Sequence, residues 1–130
     1  MDALDAFFAD HARKVWSPGV TDCCLAVADW AIACGHPDPA VHLRETYDCE
    51  AGFRAIISSA GGVTALVESC AAAIGGRRVN EPMRGAIGVI GSLSNVHRQF
   101  GAIHDGAGWR VRFVEGFFPM LARPLAMWEI

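Results

Sequence analysis

The sequence predicts an α+β fold, with N-terminal helices packed on a small C-terminal antiparallel sheet, and two observations predict it. Apolar residues recur at helical spacing from Leu4 to Ile74, whereas after Arg78 they fall into short runs bounded by Gly, Asn, Ser and Asp. Helices first and strands afterwards is the order of a domain whose helices cover one face of a sheet. At 130 residues, 52% of them hydrophobic and 19% charged, the chain has the length of a single domain, 1–130, and enough apolar area for a core.

Each element has its own signal. Leu4, Phe7 and Phe8 oppose Asp2, Asp5 and Asp10 and predict a helix over residues 2–14, broken by Trp16-Ser-Pro-Gly19. Thr21 or Asp22 can cap a second helix that runs to Gly35 and is nearly apolar all round, so it should be buried. Pro39 opens a short helix from Ala40 to Tyr47, a further helix runs from about Glu50 to Ser59 and stops at Gly61-Gly62, and another spans Val63 to Ile74. Ala86–Ile90, Phe100–Ile103, Trp109–Phe113 and Gly116–Pro119 read as strands, with a hairpin turn at Asp105–Gly108. Pro119 confines its strand to an edge or an end, and Pro124 predicts a turn of helix before Trp128-Glu-Ile130. Arg77-Arg78 reads as a solvated loop, and Trp16 and Trp30 as core aromatics.

Composition excludes several function classes. The net charge is −3 and Arg77-Arg78 is the only basic cluster, which leaves no footprint for a phosphate backbone, so nucleic acid is not an expected partner. The first residues carry no basic segment ahead of an apolar run, and the apolar stretches fall short of the roughly 20 residues of a membrane span. The expectation is a protein made in the cytoplasm without a signal peptide and without a membrane span. The five cysteines, Cys23, Cys24, Cys34, Cys49 and Cys70, are odd in number and lack C-x-x-C spacing, which favours free thiols over disulfides and gives no metal site and no cofactor.

Cys23 is the candidate nucleophile. In the first turn of a helix capped by Thr21 or Asp22, unpaired N–H groups and the helix dipole favour a thiolate and can steady an oxyanion. The same pattern also fits a plain cap beside a core cysteine. Phe113, Phe117, Phe118 and Met120 carry more apolar area than a thin sheet edge needs, which fits either core packing or a docking surface.

Trp16-x-x-Gly19-x-x-Asp22-Cys23, the buried helix with Trp30 and Gly35, and the late glycine-rich sheet resemble the NlpC-type papain-like cysteine peptidases. Gly35-His-Pro-Asp-Pro39, Leu43-Arg44-x-x-Tyr47 and Ala126-Met-Trp128-Glu-Ile130 are similar to a smaller family of that fold encoded in phage and prophage tail-gene clusters. The resemblance implies a papain-like fold, a Cys23 nucleophile, and a base in a His-x-Gly pattern that falls on Gln99-Phe100-Gly101. Gln99 cannot take a proton at useful pH, and the Gly-Asp that usually opens the first strand reads Gly85-Ala86. His97, two residues before Gln99, shares its strand face and is the substitute base; His104 falls on the opposite face, and His11, His36 and His42 read as surface or capping residues.

Three functions follow as expectations. The first in weight is a structural tail-tip component in a virion or phage-like particle, held by other tail proteins, with a degenerate Cys-His site. An active peptidase or amidase cleaving peptidoglycan stem peptides, with Cys23 and His97, is the alternative. Thiol-dependent redox or metal binding by Cys23 and Cys24 is the third.

Overall fold

The computed structural model describes residues 1–130. Helix α1 spans Ala3–His11, with Asp2 capping it by accepting the Asp5 N–H at 3.0 Å. It stops short of the expected residue 14, because the carbonyls of His11 and Lys14 are taken by Arg112 from the far half of the chain. Helix α2, Cys23–Ala33, buries six of its eleven residues, as its unbroken apolar surface required. Helices α3, Glu50–Ala60, and α4, Val63–Ala73, meet at Gly61-Gly62. No single helix is long and apolar enough to cross a membrane.

The helix expected from Ala40 to Tyr47 does not form; residues 39–45 are a succession of turns. Asp38 accepts the Ala40 N–H at 3.0 Å and the Arg44 Nε–H at 2.7 Å, and Glu45, at φ 59°, turns out of the helical region to donate its N–H to Gly19 O. Local side-chain bonding has outcompeted the helix ladder.

Strands β1 (Arg77–Arg78), β2 (Ile87–Ser92), β3 (Gln99–His104), β4 (Trp109–Phe113), β5 (Gly116–Met120) and β6 (Ala122–Glu129) form one antiparallel sheet in the order β1-β6-β2-β3-β4-β5. The fold class is therefore α+β, with four helices and a six-stranded sheet. Two expectations at the end of the chain are corrected. The segment after Pro124 is not a helical turn but the longest strand, because Pro124 sits where the β2–β6 register shifts between Val89 and Ile90, a bulge that tolerates a missing N–H. Arg77 and Arg78 are solvated as expected but pair with Glu129 and Trp128 as strand β1 rather than a loop. Pro119 does lie on the edge strand β5.

A single residue, Leu121, joins β5 to β6, although four strand spacings separate them in the sheet order. Flat, those spacings would amount to about 19 Å. Two Cα steps reach at most about 7.6 Å. The sheet must therefore curl almost into a closed barrel. The curl explains why both faces are dry. One face carries Ile87, Val89, Ile103, Ala126 and Trp128 against the helices. The other carries Ile90, Ala102, Trp109, Val111 and Met127, a second core that the sheet covers by wrapping on itself. Gly88 permits the closure, since a Cβ there would meet Trp109 Cη2 at 2.6 Å.

A chain of buried polar and charged groups links the two halves. His11, expected on the surface, is 2% exposed. Its Nδ1 accepts from Arg112 Nε at 3.0 Å, and because a guanidinium only donates, the ring proton lies on Nε2 and is donated to Asp29 Oδ2 at 2.8 Å. Asp29 Oδ1 in turn accepts from Arg44 at 2.8 Å, which continues to Asp38. Arg112 is fully buried and also bonds the carbonyls of His11, Lys14, Phe113 and Val114. No buried side-chain nitrogen or oxygen lacks a partner. Burial pushes the Asp29 carboxyl up, but the His11 bond and the charges of Arg44 and Lys14 outweigh it and hold it below the usual range.

Two stability measurements follow. Replacing Asp29 by Asn should cost about 3 kcal/mol in urea unfolding, because it leaves Arg44 and the Arg112–His11 pair uncompensated. The Asp29 contribution is present above the unfolded carboxyl value of about 3.9 and is lost as pH falls through the lower folded value, so the variant's acid unfolding curve should be flatter in that window. Gly88→Val should cost about 2 kcal/mol or more, through overpacking on Trp109.

Candidate functional site at Cys23

The start of α2 is fixed from three sides by one carboxylate. Asp22 Oδ1 accepts the Leu25 N–H at 2.9 Å, and Oδ2 accepts the Gly19 N–H at 3.0 Å and the Tyr47 hydroxyl. Asp22 is 6% exposed, so these bonds replace water altogether. Burial and the bond to Asp22 both push the Tyr47 hydroxyl far above its ordinary value, so it remains a donor. Gly19 is obligatory: it sits at φ 85°, and a Cβ there would meet the Tyr47 carbonyl oxygen at 1.9 Å. Trp30, on the same helix, is core as expected and donates its Nε1–H to Gly85 O at 2.9 Å, while Trp16 is half-buried.

Cys23 therefore occupies the first turn of α2, where the sequence placed it. It is half-buried and packs against the core inside the curled sheet, whereas Cys24 packs against the core under the helices. Strand β3 lies beneath them. Its pairing with β4 is confined to Ile103↔Arg110 and His104↔Trp109, and the tip of α2 packs against Gly101 in its N-terminal half. Gly101 makes the approach possible, because a Cβ would meet Val27 Cγ2 at 3.3 Å and Cys24 Cα at 3.5 Å.

This arrangement separates the two thiols. Cys23 is held below the ordinary thiol value by the Cys24 thiol first, with the backbone N–H groups of Gly101 and Cys24 adding to it, against burial and the Asp22 charge. Cys24 is pushed well above it by Cys23 and by burial. Of the two thiols, Cys23 is the one that ionises first.

The two other expected site residues are placed differently from each other. Gln99 begins β3 two residues before Gly101, so it shares the face on which α2 lies, and it is half-buried. His97 is exposed in the turn between β2 and β3, where its backbone N–H donates to Asn95 Oδ1 at 3.1 Å. Its imidazole makes no hydrogen bond to the protein, and the groups around the Cys23 thiol are Cys24, Asp22 and the Gly101 backbone. His104 lies on the opposite face, edge-on to Trp109 at 4.9 Å between ring centroids. No three His, Cys, Asp or Glu side chains are grouped to hold a metal ion. Sequence reasoning missed the Asp22–Tyr47 pair and the contribution of Gly101. The spacing Gly19-x-x-Asp22 carried a hint of the first, and the Gly101 of the His-x-Gly frame a hint of the second.

Alkylation of the intact protein followed across pH should modify Cys23 with an apparent pKa below about 8.5 and leave Cys24 unmodified. In Gly101→Val, which crowds the tip of α2, the Cys23 profile should move up.

Comparison with curated proteins and with solved structures finds no match to the chain. A family model described as a domain of unknown function, DUF6950, matches residues 1–129. That match spans the Asp22-Cys23 loop, all four helices and the curled sheet, and the chain belongs to the DUF6950 family.

Proposed function

We propose that this chain is a papain-like, NlpC-type domain in the tail tip of a phage or phage-like particle, serving as a structural component with a degenerate Cys-His site. The observation that carries the loss of catalysis is Gln99. It stands at the position on β3 that faces the tip of α2, where the resemblance calls for histidine, and an amide cannot relay the thiol proton to a leaving amine. His97, the substitute, is turned to solvent. Loss of acid–base catalysis alone removes about 100-fold or more of rate. The tail-tip setting rests on the resemblance carried by Gly35–Pro39, Leu43–Tyr47 and Ala126–Ile130.

A structural role needs a surface for neighbouring tail proteins, and the outer end of the sheet supplies an apolar one. Phe100, Phe113 and Phe118 form a ladder with centroids 6.0 and 6.4 Å apart, flanked by exposed Val114 and Leu121. Arg98 lies over Phe100. Phe117, by contrast, turns inward against Phe7, Phe8 and His11.

The depressed Cys23 thiol favours the second reading, a peptidase acting on peptidoglycan stem peptides, since a thiolate in a helix's first turn is the reactive half of such a site. Alkylation of wild type and His97→Ala across pH separates the two. The structural reading expects the Cys23 profile to be unchanged by His97→Ala and no release of stem-peptide fragments from purified peptidoglycan. A profile that moves up in the variant together with fragment release that Cys23→Ala abolishes would overturn it. The tail-tip assignment expects the chain in purified particles by mass spectrometry, at a level reduced about tenfold by Phe113→Asp with Phe118→Asp, as two buried charges would demand.

A further inference from the structure

Asp22 sets a problem for its neighbour. It is 6% exposed, it directly precedes Cys23, and its charge opposes a thiolate there. At this depth little water is left to screen one charge from the other. Three protein donors face the carboxylate instead. Oδ1 takes the Leu25 N–H, which caps α2, and Oδ2 takes the Gly19 N–H, which closes the loop ahead of it. Capping and loop closure are complete with those two bonds. The third donor, the Tyr47 hydroxyl on Oδ2, comes from 25 residues further along the chain.

The Tyr47 ring is fixed independently of that bond. It is buried with Leu25, Ala28 and Ala40, and its centroid lies 5.1 Å from that of Phe53 on α3. Its backbone is held from two sides, because a Cβ at Gly52 would meet the Tyr47 Cβ at 3.0 Å and one at Gly19 would strike its carbonyl oxygen. The hydroxyl is therefore aimed at Asp22 before any charge forms on the thiol. Burial and the Asp22 bond keep it protonated, so it donates throughout the range in which a thiol titrates. A hydrogen bond to an ionised acceptor is shorter and stronger than a neutral one, and it draws charge from the carboxylate onto the donor.

From this placement we infer that Tyr47 is a positioning residue for Cys23, its hydroxyl offsetting the Asp22 carboxylate so that a thiolate can form one residue along the chain. Cys24 from α2 and the Gly101 backbone from β3 are the other groups that face the thiol, and His97 stands apart in its exposed turn. The role concerns ionisation alone, so it holds equally for a structural component and for a peptidase.

The test is alkylation of the full chain across pH, read at Cys23 by peptide mass mapping so that the thiols of Cys34, Cys49 and Cys70 do not contribute. Tyr47→Phe keeps the ring and its packing, and should move the Cys23 profile to higher pH. Asp22→Asn keeps a capping side chain but removes the charge, and should move the profile to lower pH. Adding Tyr47→Phe to Asp22→Asn should then change nothing, since no carboxylate is left to offset. Tyr47 is the only tyrosine in the chain, so biosynthetic replacement by fluorotyrosine alters this hydroxyl alone. The more acidic phenol is the stronger donor, and with it the Cys23 profile should move to lower pH, a response that packing alone would not give. A profile that Tyr47→Phe leaves in place, one that it raises equally in the Asp22→Asn background, or one that fluorotyrosine does not lower would each overturn the inference.

Discussion

The architecture depends on a line of polar contacts that runs through the protein from Arg112, by way of the neutral His11 ring, to Asp29, Arg44 and Asp38. Each charge would be costly to bury alone, and each is made tolerable by the next. Because its members come from α1, α2, the 38–45 segment and β4, the line cannot be satisfied until helices and sheet are docked in one relative position. Apolar packing supplies most of the stabilisation but would accept small slips between layers. The buried guanidinium, with five polar partners at fixed angles, does not. Hydrophobic burial sets how tightly the layers associate, and this polar seam sets their register.

The Cys23 site inherits that precision at second hand. Asp22 holds the first turn of α2 to the Trp16–Gly19 loop and to Tyr47, while seven residues further along the same helix Asp29 holds it to α1 and, through His11, to β4. The tip of α2 is thereby fixed against Gly101 at both its near and far ends. The result is a thiol whose pKa Cys24 and the backbone N–H groups of Gly101 and Cys24 lower, against burial and the Asp22 charge. Such a setting lowers the cost of ionising Cys23, and the imidazole of His97 lies apart from it in an exposed turn.

Much of this was written in local patterns. The fold class, the boundaries of α2, α3 and α4, the cap at Asp22 and the edge position of Pro119 follow from spacing and turn chemistry that act within a few residues. Most of the errors come from interactions made across the sequence. Ala40–Tyr47 has helical spacing, but its neighbour Asp38 and the distant Gly19 capture its donors. Pro124 reads as a breaker of strands, but the bulge opposite Ile90 removes the need for its missing hydrogen. His11 looks like the polar end of an amphipathic helix, and nothing nearby in the chain announces that Arg112, 101 residues later, will bury it. For the candidate site the sequence located the helix tip and the strand that meets it. It offered His97 as the substitute base from a stretch, Asn95–Arg98, that itself reads as a turn, and the structure leaves that residue exposed there.

The one-residue link at Leu121 has a consequence for how this molecule acquires its structure. The meander from β2 to β5 can form from neighbouring segments, but β6 must return across the whole of it to pair with β2, so the last ladder joins residues separated by some 30 to 40 positions in the chain. Nonlocal closure of this kind is slow relative to hairpin formation. Without that ladder the backbone groups on this side of β2 have no partner, a template for pairing with another chain. Closure removes that edge from the finished molecule, so the hazard belongs to a brief stage of folding, and aggregation competes with the final strand rather than with the native protein.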